Sequence, residues 1–269
     1  GNLASVGMFD GALAELNNAQ WGTGVFAGTQ PDPLQLSLST RIVEGGVYVQ
    51  GHSRASAKSH WSLTLGASGS YDSGEANREF GYVQGSFLSS RLWTFFTQEI
   101  DYYRSWKRLT SLDAVSPTNT FALVRYRVTG GVTLDAGFDN RRNVLLYRDV
   151  VNPATLFDDT YRQGAWAGCS IRFRGRYFLG VDARSSTGGP AGRADAYTMS
   201  FSAGPITRVG LNVRSRTTWY SSDQLTGWLQ SVAIGITPAA RLHLELNGGG
   251  REVWNPLVDP PANAWVAWL

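Results

Sequence analysis

Apolar and polar side chains alternate with a period of two along most of the chain. The pattern is cleanest at residues 241–247, Arg-Leu-His-Leu-Glu-Leu-Asn. A strand turns successive side chains to opposite faces. Leu242, Leu244 and Leu246 therefore share one face, and Arg241, His243, Glu245 and Asn247 share the other. The same rule sets Trp61, Leu63, Leu65, Ala67 and Tyr71 against Ser62, Thr64, Ser68 and Ser70. It sets Ala122, Val124, Tyr126 and Val128 against Arg125 and Arg127, and Val132, Leu134, Ala136 and Phe138 against Thr133, Asp135, Asp139 and Arg141. Further on, Cys169, Ile171 and Phe173 oppose Ser170, Arg172 and Arg174, while Tyr177, Leu179, Val181 and Ala183 oppose Asp182 and Arg184. Val209, Leu211 and Val213 oppose Asn212, Arg214 and Arg216.

Heptads and long helical stripes are missing, and turn residues recur between the alternating runs. The pattern predicts strands at 3–16, 21–29, 36–55, 59–71, 77–89, 92–106, 119–129, 131–140, 160–173, 176–187, 194–203, 208–221, 225–237, 240–250 and 262–269. The alternation is poorest at 77–89 and 225–237, and the third strand has a candidate break at Glu44-Gly45-Gly46. Short connections (17–20, 89–91, 130–131, 174–176, 204–207, 238–240) alternate with longer ones (30–35, 72–76, 107–118, 141–159, 188–193, 251–261), with 222–224 a short exception. Antiparallel up-and-down strands give this alternation when one rim carries tight turns and the other carries loops. The count of fifteen is odd, whereas bacterial single-chain membrane barrels have even counts. Either a strand precedes residue 1 in a longer chain, of which this is the barrel part, or 36–55 is wrongly left whole.

Two environments fit such strands. In a soluble sheet the apolar face meets a core and the polar face meets water. In a membrane barrel the apolar face meets lipid and the polar face an enclosed lumen. The arginines Arg125/Arg127, Arg172/Arg174 and Arg214/Arg216 come in i, i+2 pairs on the polar faces. On the lipid side each would cost about 2–4 kcal/mol at mid-bilayer. In a membrane barrel they must therefore line the lumen. Arg184 and Arg241 join them there, with Glu99, Asp101, Asp135, Asp139, Asp182 and Glu245 as the acidic members. Aromatics gather toward strand ends, at Tyr71, Tyr161, Tyr177, Trp219, Tyr220 and the Tyr102/Tyr103/Trp106 group, where interfacial girdles belong. The apolar faces are otherwise modest in bulk, which suits lipid better than an interlocking core.

In these features (the alternation of residues 241–247 and its companions, the loop asymmetry and the aromatic strand ends) the chain resembles bacterial outer-membrane β-barrels as a class. The resemblance implies an all-β, antiparallel up-and-down transmembrane barrel of about 14–16 strands over residues 1–269, located in the bacterial outer membrane. Such barrels usually end in an aromatic residue, and here Trp268 is followed by Leu269. A soluble sandwich, propeller or solenoid is the competing fold, and no 40-residue repeat favours a propeller.

Composition narrows the chemistry. The 269 residues hold 10 tryptophans and 31 glycines, and no apolar run approaches the roughly 20 residues of a membrane helix. Gly1-Asn2-Leu3-Ala4-Ser5 lacks the basic-then-apolar pattern of a leader, so a processed chain or a fragment is expected. A lone cysteine, Cys169, excludes an internal disulfide and a cysteine metal cluster. A net charge of +3 is mild and is not the footprint of a nucleic-acid partner. Of the 24 basic residues only Lys58 and Lys107 are lysine. Genome base composition explains that bias as well as a need for arginine's fixed fork of donors does.

His52, His60 and His243 are too few for a metal site, although the first two flank one turn. Gly51-His52-Ser53-Arg54-Ala55 lacks the last glycine of a nucleophile elbow and lies in a strand, and Gly248-Gly249-Gly250 has no lysine and hydroxyl of a phosphate cradle. Neither catalysis nor a cofactor is expected. The longest loop, 141–164, is too apolar for a waving tip; its charged members Arg141, Arg142, Arg148, Asp158 and Asp159 are candidates for a constriction or a partner contact. The expected role is passive passage through an arginine-rich lumen, with membrane lipid as the surrounding partner. The alternative is a filled barrel that anchors or joins other subunits of a cell-surface assembly, its arginines neutralised by the lumen carboxylates.

Overall fold

The computed structural model describes residues 9–31, 39–54, 58–110, 113–142, 144, 146, 162–188, 192–207, 209–239, 242–255 and 262–268. These residues are almost entirely strand. The first six strands are β1 (Asp10–Asn17), β2 (Trp21–Thr29), β3 (Ile42–His52), β4 (His60–Asp72), β5 (Glu75–Leu88) and β6 (Leu92–Tyr102). One short helix follows, α1 (Trp106–Thr110). Next come β7 (Val115–Arg127), β8 (Val132–Arg141), β9 (Arg162–Phe173), β10 (Tyr177–Thr187) and β11 (Ala194–Ala203). The remaining strands are β12 (Asn212–Ser222), β13 (Thr226–Ala239), β14 (Leu242–Asn255) and β15 (Ala262–Trp268). They form one antiparallel up-and-down sheet in sequence order, fifteen strands among the described residues. The expected antiparallel meander is thus present. β2 to β14 are 9 to 14 residues long, above the usual 5–6 or so of globular proteins.

Several boundaries differ from the pattern-based ones. The stretch 36–55 is not split: Gly45 and Gly46 pair through β3 with Ala27 and Phe26 on one side and Gly69 and Ser68 on the other. The connection expected at 72–76 is only Ser73-Gly74, both at positive φ (54° and 90°), as a two-residue hairpin turn requires. The strand expected to reach 106 ends at Tyr102. There Ser105 takes a left-handed φ of 52°, and the chain enters α1 with the Trp106 indole donating to the Ala76 carbonyl at 2.9 Å. β14 runs on to Asn255, past the expected end at 250.

The described residues fall into two compact units, one within Gly1–Leu123 and Asp139–Tyr161, the other within Val124–Phe138 and Arg162–Leu269. In the first, the two faces are partitioned opposite to the usual soluble pattern. Val43, Val47 and Val49 of β3 and Trp61, Leu63 and Leu65 of β4 are exposed. Their alternates Glu44, Thr64, Ser68, Ser70 and Asp72 are buried. Four aromatic side chains, Phe26, Tyr48, Phe80 and Tyr82, share the buried face. Three of them face glycines: Gly46 stands opposite Phe26, a Cβ at Gly24 would lie 2.5 Å from the Tyr48 ring, and Gly66 faces Tyr82 in register.

In the second unit apolar and polar rows also lie on opposite faces, but there the described charged side chains are exposed or half-buried as well. Running across β9 to β14, one face carries the register rows Phe173–Tyr177–Ala203–Val213–Ile234–Leu246 and Ile171–Leu179–Phe201–Ser215–Val232–Gly248. The other face carries Arg172–Phe178–Ser202–Arg214–Ala233–Asn247 and Ser170–Gly180–Ser200–Arg216–Ser231–Gly249. The leucines 242, 244 and 246 are all exposed, as are Val181 and Met199. Among the described residues of the whole chain, exposed large apolar side chains far outnumber buried ones.

Aromatics mark both ends of the apolar face. In the first unit Trp21 and Trp61 flank Gly51 at one end, each ring 3.2 Å from the place of a Cβ there, and Tyr71 and Tyr102 stand at the other. In the second, Phe173 and Tyr177 stack at 4.9 Å at one end, and Tyr197 meets Trp219 at 5.5 Å at the other. Tyr220 departs from the expected girdle: it pairs with Ala196 on the arginine face. Tyr103 is buried, and Tyr161 lies outside the described residues.

Candidate functional site

The polar faces carry most of the concentrated chemistry among the described residues. In the first unit the centre is Arg78 of β5. Its guanidinium donates to Asp101 from Nε (2.8 Å) and Nη2 (2.9 Å), and to Glu99 from Nη2 (2.8 Å). The Phe80 ring lies under it, 4.1 Å from Cζ to the ring centroid. The Thr118 hydroxyl also donates to Asp101, and the Asn119 amide donates to Glu99 at 3.1 Å. Asp101 is 0% exposed, so its charge is tolerated only because every oxygen is partnered. Two strands away, the buried Glu44 accepts from Gln30 (2.7 Å). These residues form a fixed, hydrogen-bonded lattice rather than a reactive centre.

Beyond the end of β6, Arg104 ion-pairs with Glu79 of β5, which lies on the apolar face beside Tyr71, and this bond holds the Arg104 guanidinium pKa above the ordinary value. The Lys107 ammonium of α1 lies 5.6 Å from the ring centroids of both Tyr103 and Trp106.

The polar face of the second unit is more open. Arg214 reaches across β13 at the small Ala233 to donate to Glu245 at 2.5 Å. Glu245 also takes the Asn247 amide (3.1 Å), and His243 Nδ1 lies 3.1 Å from the Thr237 hydroxyl. Arg216, Arg172 and Arg184 are exposed on the same face. Asp135 and Asp182 both lean over Gly168, where a Cβ would lie 3.1 Å and 2.6 Å from their oxygens. A groove of about 520 Å³ opens between Phe178, Ser200, Arg214, Arg216, Ser231 and Asn247.

Most residues picked out by alternation stand on these faces. Glu99 and Asp101 are there but buried in the Arg78 lattice. Asp139 accepts from Arg141 at 2.9 Å, and Arg142 donates to the Ser116 hydroxyl at 2.9 Å and from its backbone to the Thr118 carbonyl at 2.9 Å. Arg125 and Arg127 are exposed at the end of β7, alternating with exposed Val124 and Tyr126. Arg174 is not on a strand face; it sits in the β9–β10 turn with φ of 52°. Arg241, Arg148, Asp158 and Asp159 lie outside the described residues. His52 pairs across the hairpin with Ser62 and His60 with Leu88. No group of three potential metal ligands occurs among the described residues.

No family model matches the chain, and no curated protein matches it in sequence. Its chemistry must therefore be read from the faces themselves. Alternation missed Arg78, because the buried face of β5 mixes Arg78 with Phe80 and Tyr82, while Gly81 and Gly85 dilute the exposed one. The available signal was the glycine opposite Phe26, Tyr48 and Tyr82.

Proposed function

We propose that the chain is a transmembrane β-barrel of a bacterial outer membrane, with its polar face lining a lumen through which small anionic solutes pass passively. The observation that carries this reading is the partition of side chains. In the first unit Val43 is 53% exposed and Leu65 48%, whereas Glu44 is 2% exposed and Asp101 0%. Water would favour the opposite arrangement, and lipid favours this one. Strand length agrees, since a tilted membrane strand needs about 9–11 residues. Aromatic side chains at both ends of the apolar face suit the two interfaces. The exposed arginines of the polar face would raise the local concentration of anions.

A second reading is a filled barrel that anchors a surface assembly. It is favoured by the Arg78 lattice and by the four aromatics packed into the polar face of the first unit. Conductance separates the two. Single channels in a planar bilayer under a salt gradient are expected to show steady current with a reversal potential favouring anions. Replacing Arg172, Arg184 and Arg216 with glutamine is expected to move that potential toward cation preference. Clean insertion without current would instead support the filled barrel.

A further inference from the structure

We infer that the groove on the polar face of the second unit is a stoichiometric oxyanion-binding site centred on Arg216. The register row through it reads Ser170–Gly180–Ser200–Arg216–Ser231–Gly249, a single long side chain among hydroxyls and glycines. The small neighbours leave the groove of about 520 Å³ around the guanidinium. Ser200 and Ser231 are directly across from Arg216 on either side, so two hydroxyls flank its fork of donors. Among the described residues Ser200 makes one bond, to the Gly180 carbonyl, and at 3.5 Å it is beyond the range of a strong hydrogen bond.

Charge sets the ligand's sign. Glu245, the acidic residue of the groove, is taken by Arg214 at 2.5 Å. Among the described residues Arg216 has no carboxylate partner and no side-chain hydrogen bond. The groove therefore holds one uncompensated positive charge, on a group whose planar fork matches the paired oxygens of a carboxylate or phosphate. Phe178 closes one side with an apolar wall, leaving room for the carbon part of an organic acid or phosphate ester.

The site gives the proposed lumen a specific occupant, but it does not require an open pore. Isothermal titration of the full chain in detergent at low ionic strength uses inorganic phosphate and acetate as probes, with chloride as the competitor. One saturable oxyanion site per chain is expected, weakened about tenfold in Arg216→Gln, the loss of one charge-assisted hydrogen bond. Ser231→Ala is expected to weaken it less, and Arg193→Gln, whose guanidinium is paired with Asp195 at 3.0 Å, is expected to leave it unchanged. The tighter of the two probes identifies the class of headgroup.

Absence of saturable binding, equal binding in Arg216→Gln, or displacement by equimolar chloride would overturn the site. A saturable titration from a protein that carries no current would overturn the pore and leave the site standing. Current without a titration would do the reverse.

Discussion

Replacing Asp101 with alanine is expected to destabilise the protein by about 3 kcal/mol, the low end of the range for breaking a buried ion pair. The cause is what stays behind. Arg78, with a side chain 21% exposed, would lose two hydrogen bonds from Nε and Nη2 and keep only Glu99 as a charged partner. Thr118 would lose the acceptor of its hydroxyl. The cost arises from these broken bonds, since Glu99 still balances the guanidinium charge. Arg78→Met combined with Asp101→Ala is expected to be less stable than Asp101→Ala alone, because it takes the cation away from the buried Glu99 carboxylate. Urea titration of the vesicle-inserted protein reads both, and a loss below about 0.5 kcal/mol, the range of ordinary surface substitutions, would mean that the lattice is not structural.

The second large effect is expected on the opposite face. Val181→Arg should cost about 2–4 kcal/mol if this face meets the middle of a bilayer. Asp182→Arg, one residue further along β10 at the same depth, should stay within about 0.5 kcal/mol. The contrast is informative because Val181 is already half exposed. In water, arginine at such a site would be close to neutral. A difference between adjacent residues of this size therefore requires that the two faces meet different solvents. Equal, small effects would place both faces in water.

How much of this was legible in the sequence depends on what each strand puts on its polar face. β4 alternates without exception from Trp61 to Leu65, and its faces are those the period of two predicts. β14 does the same through Leu242, Leu244 and Leu246. β5 and β13 read poorly for a common reason. Their polar faces hold apolar residues, Phe80 and Tyr82 in β5 and Leu229 in β13, while Gln230 sits on the apolar face. A buried polar face accepts an aromatic wherever a glycine stands opposite, as Gly66 does for Tyr82, and one-strand alternation cannot see the partner strand. The Arg78 lattice was hidden for the same reason, because it draws on β5, β6 and β7 together. Glu99 and Asp101 were picked out on their own strand, but their burial came only with the arginine that pairs with them.

The central question is which face of the strands meets lipid. The most direct measurement is collision accessibility of nitroxide labels placed one at a time at residues 178–184 of β10, in vesicles, after the single native cysteine, Cys169, is replaced by serine. Oxygen partitions into hydrocarbon, and a charged nickel complex stays in water. Positions 179, 181 and 183 are expected to collide preferentially with oxygen, and 180, 182 and 184 with nickel, in strict alternation. Nickel accessibility at 179, 181 and 183 equal to that at the even positions would contradict the account and place the exposed valines and leucines against protein or water.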